Sequence, residues 1–180
     1  MMRVMGISGM PGSGKALVSE IATERGAIIV SMGDIVREEA KKRGEGSKET
    51  AKNLRKEFGE YIVSELTIKK IKKLQEEGIE NSIVVEGIRS HHEVEMFKEN
   101  FDDFIILSVF ANPCIRFERL KIRMREDDST DYNVFKARDE AELGFGIGNV
   151  IALSDKLIVN ESDLENHAKN INEFFDEIDL

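Results

Sequence analysis

The sequence predicts an α/β fold, a five-stranded, mostly parallel sheet flanked by helices. Two observations predict it. Short apolar runs alternate with longer amphipathic or charged stretches along the 180 residues, the pattern of repeated strand–helix–strand units. The first run, MRVMGIS, leads through the glycine-rich GMPGSGKA into KALVSEIATERG, a strand, a loop and a helix in direct succession. One domain is enough for this length, and a chain of this size buries about 70% of its unfolded surface.

Strands are expected at 3–8, 27–30, 82–86, 104–110 and 156–160, where β-branched and apolar residues cluster. Helical patterns fill 15–25, 34–42, 50–77, 92–98, 113–125, 133–143 and 163–178. Ser90 with Glu93, and Ser162 with Glu165, have the spacing of capping boxes. Pro113 opens its helix, where a missing N–H costs little. The polar stretch 41–50 joins two helices around Gly44 and Gly46, and 123–133 reads as a mobile cover.

Composition removes several function classes. The apolar fraction is 41% and the charged fraction 34%, as in an ordered globular chain. A net charge of −9 argues against general nucleic-acid binding through a basic surface. The longest apolar run near the N-terminus is too short for a membrane span or a signal-peptide core. A single cysteine, Cys114, excludes an internal disulfide framework and fits a reducing, cytoplasmic setting. Homodimerisation is left open.

The pattern G-x-x-x-x-G-K is present as Gly9, Gly14 and Lys15, between a strand and a helix as a phosphate-binding loop requires. Gly9, Met10, Pro11, Gly12, Ser13, Gly14, Lys15 and Ala16 form the expected cradle for the phosphates of ATP. Backbone N–H groups and the helix N-terminus hold the phosphate oxygens, and Lys15 adds a mobile charge. The expected architecture is therefore the P-loop nucleoside triphosphate hydrolase fold. The Ser or Thr that usually follows the lysine is replaced by Ala16. The first hydroxyl downstream is Ser19, one helical turn on.

GMPGSGKA resembles the G-x-P-G-x-G-K-G loop of adenylate kinases and related nucleotide kinases, except that Leu17 stands where that family has Thr. VSMGDIVREEA is similar to the family's acceptor segment and matches it at Gly33, Asp34 and Arg37. VVEGIRS resembles the segment after the third strand, with Gly87 and Arg89 in register and Glu86 and Ile88 replacing Asp and Pro. The stretch IRFERLKIRMREDD with KARDE is similar to the family's lid. The likeness covers most of the chain, and is strongest to an archaeal adenylate-kinase-related group that also resembles dephospho-CoA kinase. LIVNESDLENH, 157–167, is particularly like the C-terminal segment of dephospho-CoA kinase. The resemblance implies a core of 1–33, 82–115 and 144–180, a small helical acceptor-binding insertion at about 34–80 and a short lid at about 119–140.

Phosphoryl transfer requires neutralisation of spreading negative charge more than it requires a base. Between 116 and 138 cations outnumber acids, against the trend of the chain. Arg116, Arg119 and Arg123 recur at helical spacing, and their guanidinium forks match phosphate oxygens bidentately. Arg119, Arg123, Arg125 and Arg138 are the expected catalytic cations beside Lys15, with Arg116 behind them. Asp34 and Glu86 are the acids expected near magnesium, since strand C-termini line the ligand crevice of an open α/β sheet. Asp34 alternatively takes the acceptor's proton. Gly33, Arg37, Gly87 and Arg89 are the expected acceptor contacts.

His91 and His92 are neighbours whose side chains point apart, and the sequence offers no third ligand for a metal. Gly144-Phe-Gly-Ile-Gly148 lacks the preceding strand of a dinucleotide fingerprint and reads as a loop or hinge. Three functions fit these features: a kinase using ATP and Mg2+ on a nucleotide-like acceptor, a switch-like ATPase acting on a protein or RNA partner, or a non-catalytic nucleotide binder. The first is preferred, with a nucleoside monophosphate ahead of dephospho-CoA as acceptor.

Overall fold

The computed structural model describes residues 3–125 and 128–180. Met1 and Met2 of the predicted core, and Glu126 and Asp127 of the predicted lid, lie outside the described residues. Five strands, β1 (Val4–Ser8), β2 (Ile28–Ser31), β3 (Ile83–Glu86), β4 (Ile105–Phe110) and β5 (Lys156–Val159), form one sheet in the order β2-β3-β1-β4-β5. All four pairings are parallel. The chain steps from the centre to one edge and back, then crosses β1 to build the other side. The C-terminal ends of β1, β3 and β4 thus open on a common crevice, where open α/β sheets bind ligands.

Every residue of β1 is buried, which is why VMGIS is a continuous apolar run rather than an alternating one. Val4, Ile83, Val85 and Ile106 face a core shared with α2 (Met32–Arg43), α3 (Ser47–Phe58), α4 (Ile62–Glu76) and α5 (His91–Asn100). Met5, Ile7, Val84, Leu107, Val109 and Ile158 face the other core, with α1 (Lys15–Glu24) and α9 (Leu164–Glu177). The remaining helices are α6 (Pro113–Arg123), α7 (Tyr132–Gly144) and α8 (Ile147–Ala152).

Three expectations change. The predicted helix 50–77 is two helices, because Gly59 adopts φ 107° after α3 and turns the chain into α4. A left-handed residue there ends the ladder whatever the apolar periodicity on either side. The capping box at Ser90 is present, with Glu93 returning to the Ser90 backbone N–H. The second is not: Asp163, not Ser162, caps α9 by accepting from Asn166 N. The glycines at 144–148 end α7 and begin the short α8, with Gly146 at φ 98°.

Candidate active site

The loop between β1 and α1 rests on the far end of the chain. Asn160, buried just past β5, donates from Nδ2 to the Ser13 carbonyl at 2.8 Å. His167 on α9 is buried with Nε2 3.3 Å from the Gly14 carbonyl. Burial lowers its pKa, opposed by that contact and reinforced by Arg119. A neutral ring with Nε2–H donating fits this placement. Gly14 sits at φ 104°, and a Cβ there would lie 2.1 Å from Asn160 Nδ2. Only glycine allows the loop to lie this close to β5.

The front of the loop lines a cavity of about 480 Å³. Of the predicted cradle, Gly9, Pro11, Gly12, Gly14, Lys15 and Ala16 form its wall. Met10 and Ser13 turn away: Met10 lines a second, apolar pocket of about 330 Å³ behind the loop, and Ser13 is fully buried. Lys15 Nζ donates to the Gly9 and Met10 carbonyls at 2.6 and 3.1 Å. Desolvation lowers its pKa to about 8, opposed chiefly by the charges of Glu142 and Glu86. Ala16 is exposed at the cavity, whereas Leu17 packs against the α1–α9 core. Neither could present a hydroxyl. Ser19, a turn further, donates from Oγ to Glu86 Oε1, and Glu86 ends β3 on the cavity wall.

Arg119, Arg123, Arg125 and Arg138 all line the same cavity. Arg119 donates to the Asn160 carbonyl and Oδ1 at 3.1 and 3.2 Å, tying α6 to the segment that supports the loop. Arg123 and Arg138 converge on Asp128, at 2.7 and 3.1 Å, and the Arg125 N–H donates to the same carboxylate. With 1% of its side chain exposed, Asp128 is held far below the usual carboxylate range, first by Arg123 and then by the Arg125 N–H and Arg138. Arg116 is the correction in this cluster. It is 3% exposed and directed under the loop, donating to the Pro11 and Ala111 carbonyls and to both oxygens of Asp139 on α7. It braces the loop from behind rather than facing a ligand.

Of the predicted acceptor contacts, Gly33, Gly87 and Arg89 line the cavity with Ser31, Ile88 and Ile147. Arg89 Nε lies 3.4 Å from Glu142, and its guanidinium stacks over Phe145 at 5.6 Å. Asp34 and Arg37 pair with each other on the exposed first turns of α2, Nε to Oδ1 at 2.9 Å. Neither belongs to the cavity wall among the described residues. No group of three or more His, Cys, Asp or Glu positioned for a metal occurs among the described residues, His91 and His92 included.

Sequence spacing missed Asn160, His167, Asp139 and Glu142 as parts of this site. Asn160, His167 and Asp139 lie in segments that the resemblance covers, but each reaches the loop or its brace across many residues, a contact that spacing along the chain does not encode. Ser19 was visible as the first hydroxyl after Lys15; its partner was not.

The arrangement concentrates Lys15 and five arginines around one cavity against Glu86 and Glu142, in a chain of net charge −9. It suits a polyphosphate. Among the described residues no helix is long and apolar enough to cross a membrane.

The family described as an AAA domain matches residues 8–136. The chain is 50% identical over 163 residues to a UPF0200 protein of Methanothermobacter thermautotrophicus, covering 91% of this chain and 84% of that one. It is 43% identical over 184 residues to a UPF0200 protein of Methanocaldococcus jannaschii, covering 98% and 91%. Among solved structures, shikimate kinase from Bacteroides thetaiotaomicron has a TM-score of 0.58 at 16% identity, covering 100% of both chains. An unliganded sugar kinase from Janibacter sp. has a TM-score of 0.66 at 12% identity, covering 98% and 95%. The fold is thus that of the P-loop kinases.

Proposed function

The chain belongs to the UPF0200 family, with an AAA domain over residues 8–136, and on that premise we propose that it is an ATP-dependent kinase of a small, nucleotide-like acceptor. The observation that carries this reading is one continuous cavity whose wall runs from Gly14 and Lys15 past the lid arginines to Gly87 and Arg89. A hydrolase needs only the first part of that wall. A kinase needs a second substrate beside the first.

In this reading the loop amides and the N-terminus of α1 hold the β- and γ-phosphates, and Lys15 leaves the Gly9 and Met10 carbonyls to follow the transferring group. Arg119, Arg123, Arg125 and Arg138 belong to the lid, about 119–140, and neutralise the charge that spreads over the equatorial oxygens. The helices of about 34–80 receive the acceptor. Gly33 and Arg89 contact it from the wall, and Arg37 reaches it once its pairing with Asp34 is exchanged for the acceptor's phosphate.

Magnesium fits the residues present. It keeps most of its waters and takes one or two protein oxygens together with phosphate. Glu86 on the cavity wall would supply one such oxygen, oriented by the hydrogen bond it accepts from Ser19; Asp34 would join it only by leaving Arg37. Bound there, the ion would supply positive charge against the phosphates.

By resemblance a nucleoside monophosphate is the first acceptor. Dephospho-CoA is the second, favoured by the segment 157–167, whose Asn160 and His167 support the loop. Cys114, free and exposed, suits a reducing cytoplasm. A coupled assay of ADP formation over both acceptor classes tests the reading. Acceptor-dependent turnover is expected; hydrolysis indifferent to every acceptor would make the chain a switch-like ATPase instead.

A further inference from the structure

We infer that the acceptor presents a hydroxyl to ATP and that Glu142 takes its proton. The inference rests on the kinase reading above and narrows it to one substrate class.

Glu142 lies in the last turn of α7, one turn after Arg138, and both line the active cavity. Asp139, on another face of the helix, is turned toward Arg116. The cavity-facing stripe of α7 therefore presents a cation and then an acid. The Glu142 side chain is 15% exposed. The charged groups around it are Lys15 from α1, Glu86 from β3, Arg89 from the segment after β3, and Arg138 on its own helix. Of the acids acting on the Lys15 ammonium, Glu142 acts more strongly than Glu86. Glu142 and Lys15 thus line one cavity, the one in which Lys15 would meet the transferring phosphoryl group.

A carboxylate in that position suits one kind of acceptor. A phosphate acceptor is already ionised near neutral pH and needs only cations. An acid beside it would repel it. An alcohol keeps its proton until the new bond forms and then requires a base, the role a carboxylate fills in protein kinases. Stability does not account for Glu142 either. Among the described residues its ion pair is to the half-exposed Arg89, and pairs at such exposure add little.

The step balances. The acceptor oxygen bonds to the γ-phosphorus, and the bond from that phosphorus to the β,γ-bridging oxygen breaks. ADP leaves with the electron pair, and the acceptor's proton passes to a Glu142 oxygen.

The test uses the full chain with MgATP, one panel of nucleoside monophosphates and one of alcohols: dephospho-CoA, free nucleosides and shikimate. ADP formation with an alcohol is expected. Glu142→Gln should lower kcat by about 100-fold or more, the usual range for a lost general base. It should also leave the KM for ATP within about twofold. Glu142→Asp should recover part of the rate, and thermal melting of both variants reports that the fold is kept. Turnover of a monophosphate alone overturns the hydroxyl assignment and leaves the kinase reading standing. A raised magnesium requirement in Glu142→Gln, with kcat restored at saturating magnesium, makes Glu142 a metal group and also overturns it. ADP formation with no acceptor, while ATP still binds, defeats the kinase reading itself.

Discussion

Asn160 Nδ2 donates to the carbonyl of Ser13 at 2.8 Å, joining the segment after the last strand to the loop after the first. Its Oδ1 meanwhile accepts from Arg119 of α6. Asn160→Ala leaves the Ser13 carbonyl and Arg119 without these partners. A loss of about 1–3 kcal/mol in urea unfolding is expected, with weaker ATP binding by calorimetry. Unchanged affinity would mean that the loop holds its shape without this support.

Gly14→Ala is expected to be more damaging than loss of any of the arginines that line the cavity. Its Cβ would lie 2.1 Å from Asn160 Nδ2 at a φ of 104°, so both space and backbone oppose it. ATP binding should fall below detection by calorimetry. Combining it with Asn160→Ala removes the closest contact but leaves His167 Nε2 at 3.0 Å and the backbone strain, so the double variant should regain only part of the lost stability. Full recovery would show that the left-handed geometry is dispensable.

Arg116 and Asp139 form a pair whose members are 3% and 13% exposed. Breaking such a pair costs about 3–5 kcal/mol, because the remaining charge is left buried and unpaired. Arg116→Met and Asp139→Leu should each lower the melting temperature strongly. The double variant should restore much of it, since apolar replacement of a buried pair is often neutral. The Pro11 carbonyl would still lack its donor, so the KM for ATP should stay raised in the double variant.

That pair also marks what the sequence could and could not disclose. The strands, the phosphate loop and the Ser90 cap are local patterns, and each stands where its residues place it. The arginines at 116, 119 and 123 were legible as one helical face, but the buried partner on α6 is Leu120, one turn from Arg116. The stripe rotates out of the core only at Arg119. Whether a guanidinium faces a ligand or a carbonyl was decided by Asp139 and Pro11, which are 23 and 105 residues away. Glu142 was hidden for the same reason: its role depends on Lys15 and Arg89, brought beside it only by the crossing of β1.

Ser19 donates to Glu86 at the end of β3, the carboxylate proposed above to hold magnesium in place of a hydroxyl after Lys15. Glu86→Gln is expected to raise the magnesium concentration for half-maximal turnover by about 10-fold, the lower end for disturbed metal shells. Nucleotide binding without magnesium should be unchanged. Ser19→Ala should shift the same curve less, because it removes an orienting partner rather than the carboxylate. Equal magnesium curves for wild type and Glu86→Gln would place the ion elsewhere.

Lys15 gives the site a pH dependence of defined sign. Its pKa is about 8 in the folded chain against 10.5 for the free side chain, so between these values the unfolded chain binds more protons. Stability then rises with pH from about 8 to 10.5, and the cost of burying the charge is fully present below 8. Lys15→Met should therefore melt higher than wild type at pH 7, with the gap closing toward pH 10. Phosphate oxygens favour the charged amine, so ATP binding near pH 8.5 should take up a fraction of a proton. Calorimetry in buffers of different ionisation enthalpy measures that uptake. The K15M variant should show none, and a wild type without uptake would mean that the amine stays charged in the open loop.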